Sequence, residues 1–259
     1  MWNVDQGVID NPAAGKSAYS LGVAFSGGGF RGLAHIGVLR TLERYGLQPD
    51  FIAGTSAGGL IGALCAAGKS ADEIEAIALK VFWPGLLRSQ GIRGFCRKYL
   101  PSTFEELTLP LHVAVTELPS WKTQVFSSGD LASALAASCA TPTLFHRVRI
   151  NGVSYTDGGW GSVLPSAICR AHLCRVVVGS DVWLRSALAA MSGIPANSNH
   201  AQLLYSRQYV EAFLQCDALV QPHIPFYTFI PNHASIRALV HNGEKAARKT
   251  LAKCPALTV

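Results

Sequence analysis

The sequence predicts an α/β fold of three layers, α/β/α, with helices on both faces of a mainly parallel central sheet. Strand-sized apolar runs such as "LGVAF" and "VVVG" alternate with segments of helical periodicity, the pattern of a helix-covered parallel sheet. Two of the early strands end in glycine-rich turns that open directly into helices. Composition agrees: 49% of the 259 residues are hydrophobic, only 15% are charged and mean hydropathy is +0.25, as suits a sheet buried on both faces. A lipid-facing surface is the other place where such an apolar excess can lie.

The elements follow in chain order. "SLGVAFSGGGFRGLAHIGVLRTLERYG" reads as strand, glycine turn and helix, with Leu33, Ile36, Leu39 and Leu42 on one face and Gly46 closing the helix. "PDFIAGTSAGGLIGALCAAGKS" repeats the pattern: a strand from Phe51, a sharp turn at Thr55–Ser56, and a helix of small residues ending at Gly68. Ser70 with Glu73 three residues on forms a capping box that starts the next helix. "LHVAVTEL" and "WKTQVFSSG" predict strands, "DLASALAASCA" a short helix, and "HRVRINGVSYTDGG" a hairpin-like pair ending in Asp-Gly-Gly. "CRVVVGSDV" is a last central strand, after which the chain is mostly helical, with "DALVQPHIPFYTF" strand-like. Residues 1–20 read as an N-terminal tail and 21–259 as one domain, since nothing repeats and no linker composition marks a second.

No apolar run approaches the length of a membrane span, and the first twenty residues carry two Asp without the basic start of a secretory signal. Seven scattered cysteines, an odd number, point to reduced thiols and a cytoplasmic setting. "CRAHLC", with Cys169, His172 and Cys174, has no common zinc spacing and no second ligand pair, so neither metal nor cofactor is expected. The net charge of +6 can draw the chain to an anionic surface, nucleic acid or acidic phospholipid, and so allows a peripheral membrane contact. The plain alternative, and the better fit to bases spread along the chain, is solvated helix faces. The bases are dense only in "RKYL", "FHRVRI" and "EKAARKTLAK", without the aromatic interleaving of a nucleic-acid binder.

Two glycine turns bring free backbone N–H groups to the carboxyl edge of the sheet, where a negative charge is favoured. Gly27 to Gly32 also satisfies the dinucleotide fingerprint G-x-G-x-x-G. That reading needs an acid at the end of the second strand, whereas Asp50 precedes the strand and Gly54-Thr55-Ser56 ends it. "GTSAG" fits the serine elbow G-x-S-x-G, and the plain alternative is a Ser56 that only caps the following helix. A serine nucleophile needs a base. His200, His223, His233 and His241 lie downstream, none in a turn that would present it; Asp157 follows Ser56 by 101 positions, and its plain alternative is an Asp-Gly hairpin turn. An aspartate serving as base needs a sheltered site that raises its pKa above the ordinary value of about 4.

Together, "GGGFRGLAHIGVL", "GTSAGGLIGAL" and "DGGWGSVLP" resemble the three blocks of the patatin-like phospholipases, in the same order. The resemblance implies a patatin-like fold and a metal-independent serine lipid acyl hydrolase with a Ser56–Asp157 dyad. It places an oxyanion hole at Gly27, Gly28, Gly29, Arg31 and Gly32, with the N–H groups of Gly28 and Gly29 as donors. Gly54, Thr55, Ala57 and Gly58 would shape the nucleophile elbow and Gly158 and Gly159 the Asp loop. Phospholipid or another acyl-ester lipid would be the substrate. Ser162 and Val163 depart from the family's usual Asn/Asp and Pro after the Asp loop, while Pro165 matches. An acyltransferase or a non-catalytic lipid-binding module on the same fold is the alternative. Residues 84–105 and 185–210 are candidates for a cover over the site, or an ordinary surface helix and loop.

Overall fold

A computed structural model of the chain describes residues 19–86, 90–141, 147–183, 207–224 and 232–257. The first half contains β1 (Tyr19–Phe25), α1 (Ala34–Arg44), β2 (Phe51–Thr55), α2 (Ala57–Ala66), α3 (Ala71–Lys80), α4 (Trp83–Leu86), α5 (Gly91–Tyr99), β3 (Leu111–Leu118) and β4 (Thr123–Phe126). The second adds α6 (Leu131–Ser138), β5 (Val148–Ile150), β6 (Val153–Asp157), α7 (Ser166–Ala171), β7 (Cys174–Ser180), α8 (Arg207–Leu214), β8 (Ala218–Val220) and α9 (His233–Leu251). One sheet runs in the order β5-β6-β3-β2-β1-β7-β8, with β4 also paired to β3. β3, β2, β1, β7 and β8 are parallel, and β4, β5 and β6 join one flank antiparallel.

Alternation along the strands sorts side chains into two layers. Leu21, Val23 and Phe25 of β1, Ile52 of β2 and Val176 and Val178 of β7 face the larger core, covered by α1, α2, α3, α5, α6 and α9. Ala24, Phe51, Ala53, Cys174 and Val177 face the other, against Leu164 and Cys169 and under residues of α8. Within the larger layer α1 and α9 lie in very close contact, because Gly37 and Gly243 present only hydrogen to the facing helix backbone: a Cβ on either would run into a carbonyl, of Val240 or of Ala34. Their outer ends are tied by Glu244, which accepts from Arg40, Arg44 and Arg248 at 3.0, 2.9 and 2.6 Å.

The β5–β6 hairpin turns at Asn151–Gly152, both with positive φ of 49° and 84°. Asp157 therefore is not a hairpin-turn residue; it ends β6 at the level of Val115, deep in the sheet. Of the two candidate covers, residues 184–206 lie outside the described residues. α5 packs as an amphipathic helix, with Ile92 and Cys96 buried and Arg93 donating to Ser133 Oγ of α6 at 2.6 Å.

Candidate active site

β2 ends one residue before Ser56, and α2 begins one residue after it. Ser56 itself takes φ 52° and ψ −122°, a left-handed backbone that costs a non-glycine residue ~1–3 kcal/mol and must be held by its surroundings. Gly58 makes the turn possible by close approach, since a Cβ there would strike the carbonyls of Phe25 and Ser26. The Ser56 side chain makes no capping bond to α2, which removes the reading of a mere helix cap. Its Oγ donates to Asp157 Oδ2 at 2.9 Å, and both residues are only 8% exposed.

Asp157 is held from all sides. Gly159 N donates to Oδ1 at 2.8 Å, Thr141 Oγ1 to Oδ2 at 2.9 Å, and Thr116 Oγ1 to the main-chain carbonyl at 2.9 Å. Burial pushes its pKa above the ordinary carboxylate value, and the bonds from Gly159, Thr141 and Ser56 oppose the shift without cancelling it. The carboxylate is thus sheltered and raised in pKa.

The glycine loop between β1 and α1 runs beside the elbow. Gly27 lies against Ser56, its N–H bound to Val163 O at 3.0 Å, and Gly32 packs on Ala57. Among the described residues, the N–H groups of Gly28 and Gly29 have no hydrogen-bond partner in the chain. Ser56 N, by contrast, is committed to Ser138 Oγ at 2.7 Å. Arg31 fixes the loop from both ends, its N–H on Gly28 O at 3.2 Å and its guanidinium 5.3 Å from the Trp183 ring; burial lowers its pKa. Gly54 backs onto α2, Gly158 onto Ala114, and Thr55 Oγ1 donates to Ser162 O at 2.8 Å. Ser162 and Val163 therefore join the three loops through main-chain carbonyls, which any side chain supplies. This is the physical reason their departure from the family pattern leaves the geometry intact.

The other sequence candidates lie elsewhere. Asp50 accepts from Ser20 N and Leu21 N at 2.7 and 2.9 Å, at the start of β1 and the opposite edge of the sheet, so it cannot serve a nucleotide at Gly27–Gly32. His200 lies outside the described residues. His233 binds Leu79 O at 3.0 Å, and His223 and His241 are exposed; none of these three is bonded to Ser56. Of the residues of "CRAHLC", Cys169 and Cys174 are buried in the smaller core and His172 stacks on Phe51 at 5.0 Å. Among the described residues no group of three or more His, Cys, Asp or Glu is placed to hold a metal ion.

Sequence reasoning missed a supporting set. Ser138, at the end of α6, bridges Ser56 N and Ala114 O, the latter at 2.7 Å. His35, fully buried on α1, joins Ser180 Oγ at 2.7 Å and Ser26 O at 3.0 Å, while Ser26 Oγ accepts from Val182 N at 2.9 Å. Burial lowers the His35 pKa to about 4, so at neutral pH it is an uncharged bridge from β7 to the root of the glycine loop. A histidine inside the apolar stripe "LAHIGVL" was the available signal.

From Gly29 and Ala57 an apolar cavity of about 50 Å³ leads away under α3, α4 and α5, lined also by Leu60, Ile77, Trp83 and Phe95.

Fold and site together define an α/β protein whose serine, presented on a strand-to-helix elbow, is hydrogen-bonded to a buried carboxylate. The chain belongs to the patatin-like phospholipase family, whose model matches residues 23–169, more than half of it. Lysophospholipase NTE1 of Yarrowia lipolytica is 28% identical over 183 residues, 64% of this chain and 13% of that protein. An uncharacterized NTE family protein of Mycobacterium bovis is 32% identical over 167 residues, 59% of this chain and 46% of that one. The chain thus matches less than half the length of either relative. VipD from Legionella pneumophila shares the fold at TM-score 0.54 and 14% identity, over 91% of this chain and 67% of VipD. ExoU in its complex with SpcU from Pseudomonas aeruginosa does so at 0.51 and 16%, over 90% and 51%.

Proposed function

We propose that the chain is a serine lipid acyl hydrolase of the phospholipase A, lysophospholipase or esterase type, working through a Ser56–Asp157 dyad. The observation that carries the reading is the 2.9 Å contact of Ser56 Oγ with Asp157 Oδ2 in an elbow beside two unpaired N–H groups. Family membership and the relatives named lysophospholipases support a lipid ester as substrate.

Ser56 Oγ attacks the acyl carbonyl carbon as its proton passes to Asp157 Oδ2, and the oxyanion is received by the N–H groups of Gly28 and Gly29. Collapse breaks the ester bond, and the proton on Asp157 goes to the departing alkoxide. Water then attacks the acyl-enzyme, gives its proton to Asp157 and releases the fatty acid, with the proton returned to Ser56. Every proton and electron pair in this cycle is accommodated by the chain, the substrate and water. The cavity that begins at Gly29 and Ala57 would take the first part of the acyl chain, in keeping with its apolar lining.

The test is labelling with a fluorophosphonate followed by peptide mapping, on wild type and Asp157→Ala. An adduct on Ser56 that is lost in the variant, with fatty acid released from lysophospholipid by wild type alone, is the expected result. Absence of adduct on wild type in buffer and in detergent would overturn the reading.

A further inference from the structure

β3 does not stop at the level of the dyad. Thr55 pairs with Ala114 and Asp157 with Val115, so Thr116, Glu117 and Leu118 extend past Ser56 on the carboxyl side. β4, β6 and the β5–β6 hairpin go with them and form a wall beside the site. Two tryptophans stand on that wall. Trp121, in the β3–β4 turn, is 47% exposed and Trp160, three residues beyond Asp157, is 51% exposed. Their rings meet edge to face at 6.0 Å. Gly161 lies against Thr123 and Thr116, which fastens the Trp160 loop to the same strands.

Folding does not explain this arrangement. Two large aromatic side chains left half in water bury little area for their size. Trp121 also sits at φ 57°, a left-handed conformation that is a true outlier for so bulky a residue. Ser120 and Glu117 hold it there: Trp121 N donates to Glu117 O at 2.8 Å, and Ser120 Oγ to Glu117 Oε1 at 2.9 Å. Charge on the wall is complementary to an anionic surface. Over 117–123 and 147–160 the exposed ionisable side chains are Lys122, Arg147 and Arg149, against the half-buried, hydrogen-bonded Glu117 and the buried Asp157. Amphipathic indole rings flanked by cations are suited to the headgroup layer of a bilayer.

We propose that the Trp121–Trp160 pair is an interfacial anchor that docks the mouth of the site onto an anionic phospholipid bilayer. The choice of a bilayer as partner rests on the lipid-hydrolase reading; the test does not, because binding is read without turnover.

The full chain carrying Ser56→Ala is floated with phosphatidylcholine vesicles with and without phosphatidylglycerol, and compared with the same chain carrying Trp121→Gly as well. Glycine relieves the left-handed strain, so the double variant should fold with an unchanged or higher Tm. The expected result is flotation that requires phosphatidylglycerol and a partition coefficient at least about tenfold lower for Trp121→Gly, as follows from losing one interfacial aromatic side chain. With Ser56 intact, Trp121→Gly should leave kcat and KM on a soluble short-chain ester unchanged and slow the release of fatty acid from vesicles. Equal flotation of the two chains would overturn the anchor, as would a Trp121-dependent dimer in light scattering without vesicle binding. Failure of fluorophosphonate labelling alongside Trp121-dependent flotation would overturn the hydrolase and leave the anchor standing.

Discussion

At the scale of single residues, the proposed dyad poses one question: how a carboxylate could do work usually given to histidine. An exposed aspartate, with a pKa near 4, holds a proton too weakly to draw one from a hydroxyl. Asp157 is shielded, and the shielding raises its pKa more than its three hydrogen bonds lower it. In the proposed cycle the carboxylate form is the active one, so kcat/KM should fall as pH falls through that raised value, with its acid limb above the ordinary carboxylate value of about 4. Asp157→Asn keeps the shape and should cost kcat/KM about a thousandfold or more. Stability should move the other way. A carboxylate whose pKa is raised by folding destabilises the folded state once it is ionised, so the Asn variant at pH 7 should melt at the wild-type temperature or above it. A lower Tm would mean that the bonds from Gly159, Thr141 and Ser56 outweigh the cost of burying the charge. Calorimetry and a pH–rate profile of the two proteins decide both points.

Elements explain why these residues meet. The glycine blocks were legible because a strand that ends in "GTSAG" or "SGGGFRG" must turn sharply, and the alternation of strand and helix places such turns on one edge. Asp157 was legible as the end of a strand, although its neighbours Thr141 and Ser138 were not: a serine or threonine near a helix end is too common to signal that it will bond Asp157 or Ser56. The β5–β6 hairpin was legible too, but where it and β4 join the sheet was hidden, since strand order depends on pairing between distant segments and leaves no local periodicity. The α1–α9 contact was hidden in the same way. Gly37 sits mid-helix, where alanine is worth about 1 kcal/mol more than glycine. In this protein the sign should reverse, because a Cβ at Gly37 meets the main chain of Val240 and Glu244, which cannot swing aside. Gly37→Ala is expected to destabilise by about 3 kcal/mol, the upper range for overpacking, measured by urea unfolding; a neutral or stabilising outcome would show that the helices separate at little cost.

For the molecule as a whole, the buried histidines are one source of the response to acid, beside carboxylates such as Glu244, whose burial is outweighed by the arginine partners that lower its pKa. Burial lowers His35 and His112 to about 4 each, in the second case helped by the neighbouring His172 ring. The unfolded chain takes up protons on both near pH 6.5 while the folded one refuses them down to about 4. Stability is therefore full above pH 6.5 and is lost as pH falls toward 4, by up to ~1.4 kcal/mol per pH unit for each histidine. Asp157, whose pKa is raised by burial, works in the opposite sense between its ordinary and its raised value. The two histidines differ in what they give back. His35 has a partner on each ring nitrogen, whereas His112 Nδ1 is buried without one among the described residues, and its ring stacks on Phe51 at 4.8 Å. Replacing His112 by phenylalanine keeps the stacking and removes an unsatisfied nitrogen, a defect that costs about 1–3 kcal/mol. His112→Phe should accordingly be more stable than wild type at pH 7 by about 1 kcal/mol, and its unfolding free energy should fall less steeply between pH 6.5 and 4. Urea titrations across that range measure both quantities. An unchanged slope would show that His112 takes up its proton in the folded protein, and that the slope comes from other groups, His35 and His172 among them.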